Sequence, residues 1–276
     1  MKPRHAHKMG ARLSTALLLA MLCARAAIAA DPPPALPPEA AAADALALSF
    51  VSEPFPFDAT HVQGLFVTRD YYFFTGVDKY TSSAFLFKVN RSDGSLAARK
   101  NIEKLFDFHP GGIDFDGKYI WVPVAVYDEY SHTYMTVVDP ETLRHKIVFE
   151  ADDHIGALAC HGDTIIGANW NARDFYFFTR KGEIIEKRPS PTGVGYQDCK
   201  ALNGHLMCTG GGFLDWIDIE NWNLAKRFAL GQSVEDSPMS REGVAWLDGQ
   251  AFFLPDDGIK ARVYAFSFTT GETDTE

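Results

Sequence analysis

Three histidines recur at nearly equal intervals in the sequence, each just before an apolar segment. They are His61 in HVQGLF, His109 in HPGGID and His154 in HIGALA, separated by 48 and 45 residues. Neutral imidazole is a common metal ligand and a usual general base near neutral pH. We predict that the three share one site, as ligands of one metal ion or with His109 and His154 as catalytic groups. The alternative is that each only satisfies backbone groups at a turn.

A glutamate adds a second kind of chemistry. Glu242 lies in REGVAW, at the inner end of an apolar segment, where a carboxylate needs a partner. Arg241 or a bound cation would supply it, so Glu242 is predicted as a catalytic group or a metal ligand. Oxygen ligands are those that calcium and magnesium prefer. The sequence therefore predicts a divalent metal, calcium first and otherwise zinc or magnesium, held by Glu242 with Asn169, Asp256 and Asp257.

Other polar residues at equivalent positions are predicted to orient a ligand by hydrogen bonds. They are His61, Gln63, Gln197, Asp198 and Arg241. The sequence contains no GxSxG, GxGxxG, P-loop or HExxH motif, so the common serine-hydrolase, nucleotide and zinc-protease signatures do not apply.

A repeat explains why these residues recur. Five anchor segments, which begin 48, 45, 41 and 45 residues apart, are each followed by a turn, an apolar run, a third strand and, in four of the units, a fourth. Four antiparallel strands in about 45 residues are typical of a β-propeller blade. The anchors are HVQGL, HPGGI, HIGAL, GYQDC and SREGV.

The repeat predicts an all-β, five-bladed propeller rather than an open sandwich of similar strands. The last unit ends after its third strand, ARVYAFSF, and LALSFVSE at 46–53 can supply the missing one. Such pairing between the two ends of the chain removes an exposed sheet edge. The start of each inner strand then lies at one mouth of the central channel, which is where the polar anchor residues would meet.

The N-terminal residues differ from the repeat. Residues 1–29 combine a basic start, a short apolar run and an Ala-Ile-Ala motif, which predicts a signal peptide and a periplasmic or secreted protein; the alternative is an uncleaved anchor. Residues 30–45 are predicted to be a disordered Pro/Ala linker. Residues 46–276 would form a single domain, with no membrane span after cleavage.

Charge and size restrict the partners. Removing residues 1–29, which carry five of the 26 basic residues and no acidic residue, changes the net charge from −10 to −15. Such an acidic chain argues against nucleic acid. We expect a monomer that binds a small molecule or a carbohydrate.

The cysteines predict one disulfide bond. Cys199 and Cys208 flank an Asn-Gly turn, which would place them opposite each other in a hairpin, on a closely spaced pair of positions. Two free buried thiols are the alternative. Cys160 would be left without a partner.

The segments HPGGIDFDGKYIWVPV and REGVAWLDGQAFFLPDDG resemble an uncharacterised family of secreted bacterial propeller proteins, over essentially the whole mature chain. More loosely, EGVAW is similar to the glutamate motif of the gluconolactonase and strictosidine-synthase group. That resemblance implies a metal-dependent site at the channel mouth, with Glu242 as a ligand and Asn169 and Asp256 or Asp257 as its companions.

Two functions follow as hypotheses. The first is a metal-assisted hydrolase or lyase acting outside the cytoplasm on a small lactone, ester or sugar derivative, with the cation activating water and a histidine moving the proton. The second is a non-catalytic propeller that binds a ligand or a protein at its mouth, since one fold supports many functions.

Overall fold

The computed structural model describes residues 35–270; the predicted signal peptide, residues 1–29, lies outside them. The chain forms five antiparallel sheets around a common axis, with sheet neighbours in chain order within each of the first four blades. This confirms the predicted five-bladed propeller and excludes the open sandwich. No helix in the described residues is long and apolar enough to cross a membrane.

The first two blades follow the repeat, although the inner strand of blade 2 is split in two. Blade 1 comprises β2 (His61–Val67), β3 (Tyr71–Asp78), β4 (Ser83–Asn90) and β5 (Leu96–Asn101). Blade 2 comprises β6 (His109–Pro110), β7 (Asp114–Phe115), β8 (Ile120–Ala125), β9 (Thr133–Val138) and β10 (His145–Ala151).

Blades 3 and 4 have four uninterrupted strands each. Blade 3 comprises β11 (Ile155–His161), β12 (Thr164–Asn169), β13 (Asp174–Thr179) and β14 (Ile184–Pro189). Blade 4 comprises β15 (Tyr196–Leu202), β16 (His205–Gly210), β17 (Phe213–Asp218) and β18 (Asn223–Ala229).

Blade 5 is assembled from both ends of the folded chain. Its sheet order runs from β1 (Ala45–Val51) through β21 (Tyr264–Thr269) and β20 (Gln250–Pro255) to β19 (Glu242–Leu247). The pairing of β1 with β21 is antiparallel. The predicted closure by the N-terminal strand is therefore confirmed.

The described part of the segment predicted to be a disordered linker, residues 30–45, contains regular secondary structure. A short helix, α1 (Pro38–Ala42), precedes β1. Ala40 and Ala43 are buried in the apolar cluster between blades 4 and 5, which contains Trp216. Lys226 Nζ donates to the Ala41 carbonyl at 3.0 Å. Small alanine side chains let this segment pack closely, an effect that the low-complexity composition concealed.

Glycines allow the inner strands to meet at the axis. A Cβ atom at Gly111 would lie 2.0 Å from the Gly156 carbonyl oxygen, and one at Gly112 would lie 2.5 Å from Asp198 Oδ1. No other residue tolerates such an approach. The Gly112 N–H donates to the Gly156 carbonyl at 2.8 Å, which joins the split inner strand of blade 2 to blade 3.

The apolar cores lie between neighbouring sheets. One cluster fills each of the five blade interfaces. Cys199 and Cys208 form the predicted disulfide bond inside the inner hairpin of blade 4. Cys160 has no disulfide partner within residues 35–270.

Candidate functional site

A cavity of about 470 Å³ opens at the mouth of the channel. Every blade contributes to its wall, and most of the predicted site residues line it. Those residues are His61, Gln63, His109, His154, Asn169, Gln197, Arg241 and Glu242.

Glu242 is the most unusual residue of the wall. It starts β19, only 5% of its surface is exposed, and its backbone has φ 86°, a conformation that favours glycine. The nearest nitrogen atoms of basic side chains are Arg241 Nε at 3.7 Å and His61 Nε2 at 3.9 Å, both beyond hydrogen-bond distance. A buried carboxyl group in a strained backbone conformation, without a hydrogen-bonded partner, is a mark of a functional position.

Burial raises the pKa of Glu242 to about 7, and the nearby Asp256 charge adds to the shift. His61, Arg241 and Lys79 oppose it. Glu242 therefore exchanges a proton near neutral pH, which suits a general acid–base catalyst.

His61 is oriented by a second carboxylate. Its Nδ1–H donates to Asp256 Oδ2 at 2.9 Å, which leaves Nε2 directed toward Glu242. Burial would raise the pKa of Asp256, but the hydrogen bond from His61 and the charges of His61 and Arg241 outweigh it and lower the pKa. Asp256 therefore stays ionised while Glu242 titrates, so the two carboxyl groups have different roles.

The two predicted catalytic histidines, in blades 2 and 3, both have lowered pKa values. Burial, with the neighbouring His154 and His61, lowers the pKa of His109 to about 3. Burial also lowers the pKa of His154, whose Nδ1–H donates to the Asp128 carbonyl at 2.8 Å. A histidine with a lowered pKa is mostly neutral at pH 7, so little of its imidazolium form is present to donate a proton. These rings instead contribute to an aromatic wall.

That wall contains two residues that the sequence did not single out. Trp170 packs edge-on against His154 with ring centroids 4.6 Å apart, and Tyr127 contacts His109 at 4.3 Å. Lys79 Nζ lies 4.8 Å from the centroid of the Tyr127 ring. All three follow the second strand of a blade, and Asn169 and Asp256 lie at the same position in blades 3 and 5. A search of this position in blades 1 and 2 would have found Lys79 and Tyr127.

Two amides complete the cavity. Only 7% of the Gln63 surface is exposed, and Gln197 lies on the inner strand of blade 4. No hydrogen bond from residues 35–270 holds either side-chain amide, so both are free to contact a ligand. Tyr196, Ser240, Gly211 and Gly212 also line the cavity and were not predicted.

Three predicted residues lie outside the cavity wall. Asp198 is fully buried below it and accepts hydrogen bonds from the Leu65 and Val244 N–H groups, each at 3.0 Å. The Asp257 carboxylate accepts hydrogen bonds from the Ser233 and Tyr264 hydroxyl groups. Asp256 lies behind His61.

Two of the four residues predicted to hold a metal ion, Asn169 and Asp257, have hydrogen-bond partners elsewhere. The Asn169 amide donates to Asp153 at 3.1 Å and its oxygen accepts from the Asp174 N–H, while Asp257 has the partners given above. Among the histidine, cysteine, aspartate and glutamate side chains of residues 35–270, His61, Glu242 and Asp256 form the one group of three whose ligand atoms all lie within 4.8 Å of one another. His109 and His154 are not part of it.

Comparison with known proteins gives a family and a fold. A family model described as "Family of unknown function (DUF6454)" matches residues 42–216. No curated protein matches the sequence. The gluconolactonase resemblance is not confirmed by these comparisons.

Among solved structures, Myxococcus xanthus glutaminyl cyclase matches with a TM-score of 0.59 and 10% identity, over 82% of this chain and 97% of that one. The WD40 propeller domain of Doa1 matches with a TM-score of 0.45 and 11% identity, over 80% and 97%. The nidogen/laminin complex matches with a TM-score of 0.42 and 8% identity, over 68% and 85%. At such identities the glutaminyl cyclase match shows a shared fold alone.

Proposed function

The chain belongs to the DUF6454 family of unknown function, and we propose that it is an enzyme that uses Glu242 as a general acid–base catalyst at the mouth of its propeller channel. The observation that carries this proposal is the buried Glu242 carboxyl group, which faces the cavity and His61 without a hydrogen-bonded partner. A purely structural carboxylate in such a place would be paired.

The reaction that fits best is hydrolysis of a small ester or lactone. His61 Nε2 accepts a proton from water while the water oxygen attacks the acyl carbon. The bond to the leaving oxygen then breaks, and Glu242 donates its proton to that oxygen. His61 finally returns a proton to Glu242 across their 3.9 Å gap, which restores both groups. Gln63 and Gln197 would hold the substrate by hydrogen bonds.

The electrostatics of the pair support these roles. Ionised Asp256 stabilises the positive charge that develops on His61, and the pKa of Glu242 of about 7 makes it an efficient donor near neutral pH. Glutaminyl cyclase of Myxococcus xanthus has a related fold and is named as an enzyme, so a propeller of this kind can support catalysis. The disulfide bond suits the predicted location outside the cytoplasm.

A divalent metal at His61, Glu242 and Asp256 is the second candidate, favoured by their proximity. One imidazole with two carboxylates suits zinc or manganese better than calcium, which prefers six or more oxygen ligands. A bound cation would supply a Lewis acid or an activated water. Arg241 lies 3.5 Å from Asp256 and 3.7 Å from Glu242, and its positive charge disfavours a cation there.

The experiment compares wild type with Glu242→Gln on a panel of nitrophenyl esters and lactones. Loss of general acid–base catalysis lowers kcat/KM by roughly 10²–10⁴-fold. Glu53→Gln, an exposed glutamate in another loop of the same face, is the matched control and should keep full activity.

Each other outcome has a defined meaning. Glu242→Gln with nearly wild-type activity would overturn the catalytic role. If wild type turns over none of the panel yet binds a member, the non-catalytic alternative becomes the better account. Metal in the purified protein, with activity lost on chelation and restored by zinc or manganese, would favour the metal site.

A further inference from the structure

The face around the cavity carries exposed apolar side chains that its fold does not use. Tyr80, Leu105, Phe106 and Tyr130 are each at least 81% exposed, and Val234 and Ile259 are more than half exposed. We call these six residues the mouth rim. All lie in the loops that lead into the inner strands or follow the second strands of blades 5, 1 and 2. These are the blades that carry Glu242, His61 and His109.

The distribution of such residues is one-sided. The other exposed large apolar residues in the described part of the chain lie in the outermost strands of the blades, except Tyr127, which borders the cavity. Within residues 35–270, none lies in the turns of the opposite face, between first and second or third and fourth strands. Exposed apolar side chains concentrated around one opening indicate an interaction surface.

The channel is closed below the cavity, so a ligand longer than the cavity must extend over the rim. Asp198 and Lys200 are buried there, with Lys200 Nζ donating to Asp198 Oδ1 at 2.6 Å. The cavity of about 470 Å³ has the size that encloses one drug-sized ligand. The terminal group of a polymer fits inside, and the rest of its chain would lie on the rim.

The charged residues of the mouth face restrict which kind of polymer could bind there. Acidic residues outnumber basic residues in the loops of the mouth face, and Asp128 and Asp236 are exposed close to Tyr130 and Val234. Their neighbours Glu129 and Glu235 are paired with Arg173 and with Lys260 and Arg262. An acidic surface disfavours nucleic acid and anionic lipid. Aliphatic side chains such as Leu105 and Ile259 offer no hydrogen bonds to a polysaccharide. Tyrosine and aliphatic residues flanked by carboxylates instead complement apolar and basic side chains.

Building on the proposed function, we infer that the physiological ligand is an extended basic polypeptide, with one chain end in the cavity and the next residues against the mouth rim. This names a class of ligand for the site that Glu242 and His61 form.

The test measures binding of a short fluorescein-labelled peptide of repeating Leu-Lys-Ala by fluorescence anisotropy, using the full mature protein. Tyr80→Ser, Phe106→Ser and Tyr130→Ser are combined in one variant. The control combines Leu96→Ser, Ile184→Ser and Ile185→Ser, which are exposed apolar residues of outermost strands. We expect the rim variant to weaken binding roughly tenfold or more and the control to leave it unchanged.

Further binding measurements compare peptides that differ in charge or in a blocked end. A matched peptide with glutamate in place of lysine should bind far more weakly. N-terminally acetylated and C-terminally amidated peptides reveal which end enters the cavity, because blocking that end weakens binding. No binding of the lysine peptide, equal weakening by the control variant, or preferential binding to phosphatidylglycerol vesicles or dextran would overturn the inference.

The two proposals can fail separately. The rim variant should hydrolyse a small nitrophenyl ester like wild type, because its three substitutions lie outside the catalytic group. Glu242→Gln should still bind the peptide while losing turnover. Peptide binding without any turnover would support the docking surface and reject the catalytic proposal. Turnover without peptide binding would support the catalytic proposal and reject the docking surface.

Discussion

Glu242 combines three properties that a folding requirement alone does not explain. It is buried, its backbone has φ 86°, and its carboxyl group has no hydrogen-bonded partner. Each property destabilises the folded protein, and burial of the ionised form is the largest effect on its pKa. These three properties are the ones expected of the acid–base group that we propose Glu242 to be.

The raised pKa of Glu242 predicts a pH-dependent stability. Below pH 4.5, its usual pKa, the carboxyl group is protonated in both the folded and the unfolded state. Between pH 4.5 and about 7 the unfolded state loses the proton and the folded state keeps it, so stability falls as pH rises. The total loss from this group is about 3 kcal/mol and is complete above pH 7.

Glu242→Gln removes this loss. The variant should gain about 3 kcal/mol of unfolding free energy relative to wild type between pH 4.5 and pH 8. Urea unfolding at the two pH values measures the difference without any substrate. Glu53→Gln, at an exposed glutamate, is the control substitution. A Glu242→Gln effect that is equal at both pH values would show that the carboxyl group is not buried as described.

The sequence identified Glu242 and His61 because a repeat places anchor residues in register, and a polar residue at an inner-strand start has few structural reasons. It did not reveal the roles of the three histidines. His61 is paired with Asp256, a contact across 195 residues. His109 instead lies against Tyr127 of its own blade and His154 and Trp170 of blade 3. These long-range contacts are not encoded by a local sequence pattern.

At the scale of elements, Asp198 joins the two strands that carry the site. One carboxylate oxygen accepts the N–H groups of Leu65 in β2 and Val244 in β19, and the other accepts from Lys200. Burial raises the pKa of Asp198, and the Lys200 ammonium opposes this. Predicted from the sequence as a ligand-binding residue, Asp198 is placed by the structure as a tie between blades 4, 5 and 1, below the site.

Asp198→Asn should therefore disturb both stability and the site. Asparagine has one carbonyl oxygen, so it cannot accept from all of these donors, and Lys200 loses its partner. Breaking a buried ion pair costs about 3–5 kcal/mol. Since β2 and β19 would shift, the pH at which Glu242 titrates should change as well, which a nuclear magnetic resonance titration of the labelled carboxyl group can follow.

The matched control is Asp116→Asn. Asp116 has a buried side chain that pairs with Arg180 and Trp121 in a turn of the opposite face. It should lower stability and leave the titration of Glu242 unchanged. If both variants shift Glu242 alike, Asp198 has only a general structural role.

At the scale of the whole molecule, the ring depends on one strand from the other end of the chain. The sequence could predict this closure because strands follow a countable period, and an incomplete last unit has a defined gap. It could not predict α1, because Pro/Ala composition is the same in a disordered linker and in a tightly packed alanine helix. Packing of Ala40 and Ala43 against the cluster that contains Trp216 distinguishes the two, and that contact is long-range.

Removal of the closing strand should open the ring. In the intact protein β1 pairs with β21, from Ala45 opposite Thr269 to Val51 opposite Tyr264. Removal of residues 1–51 therefore leaves this edge of β21 exposed. Unpaired edges join other chains, so the truncated protein should associate and unfold at a lower temperature. Removal of residues 1–34 keeps both α1 and β1 and should leave a monomer of unchanged stability. Light scattering after gel filtration, with thermal unfolding, compares the two.

Addition of the missing strand in trans tests the same dependence in the other direction. A synthetic peptide of residues 35–51 contains α1 and β1 and can pair with β21 as an added strand. It should return the truncated protein to a monomer and raise its unfolding temperature, while a peptide of the same composition in scrambled order should not. A truncated chain that stays monomeric with the wild-type unfolding temperature would mean that four closed blades and one three-stranded sheet suffice to hold the ring, and with it the site at Glu242, together.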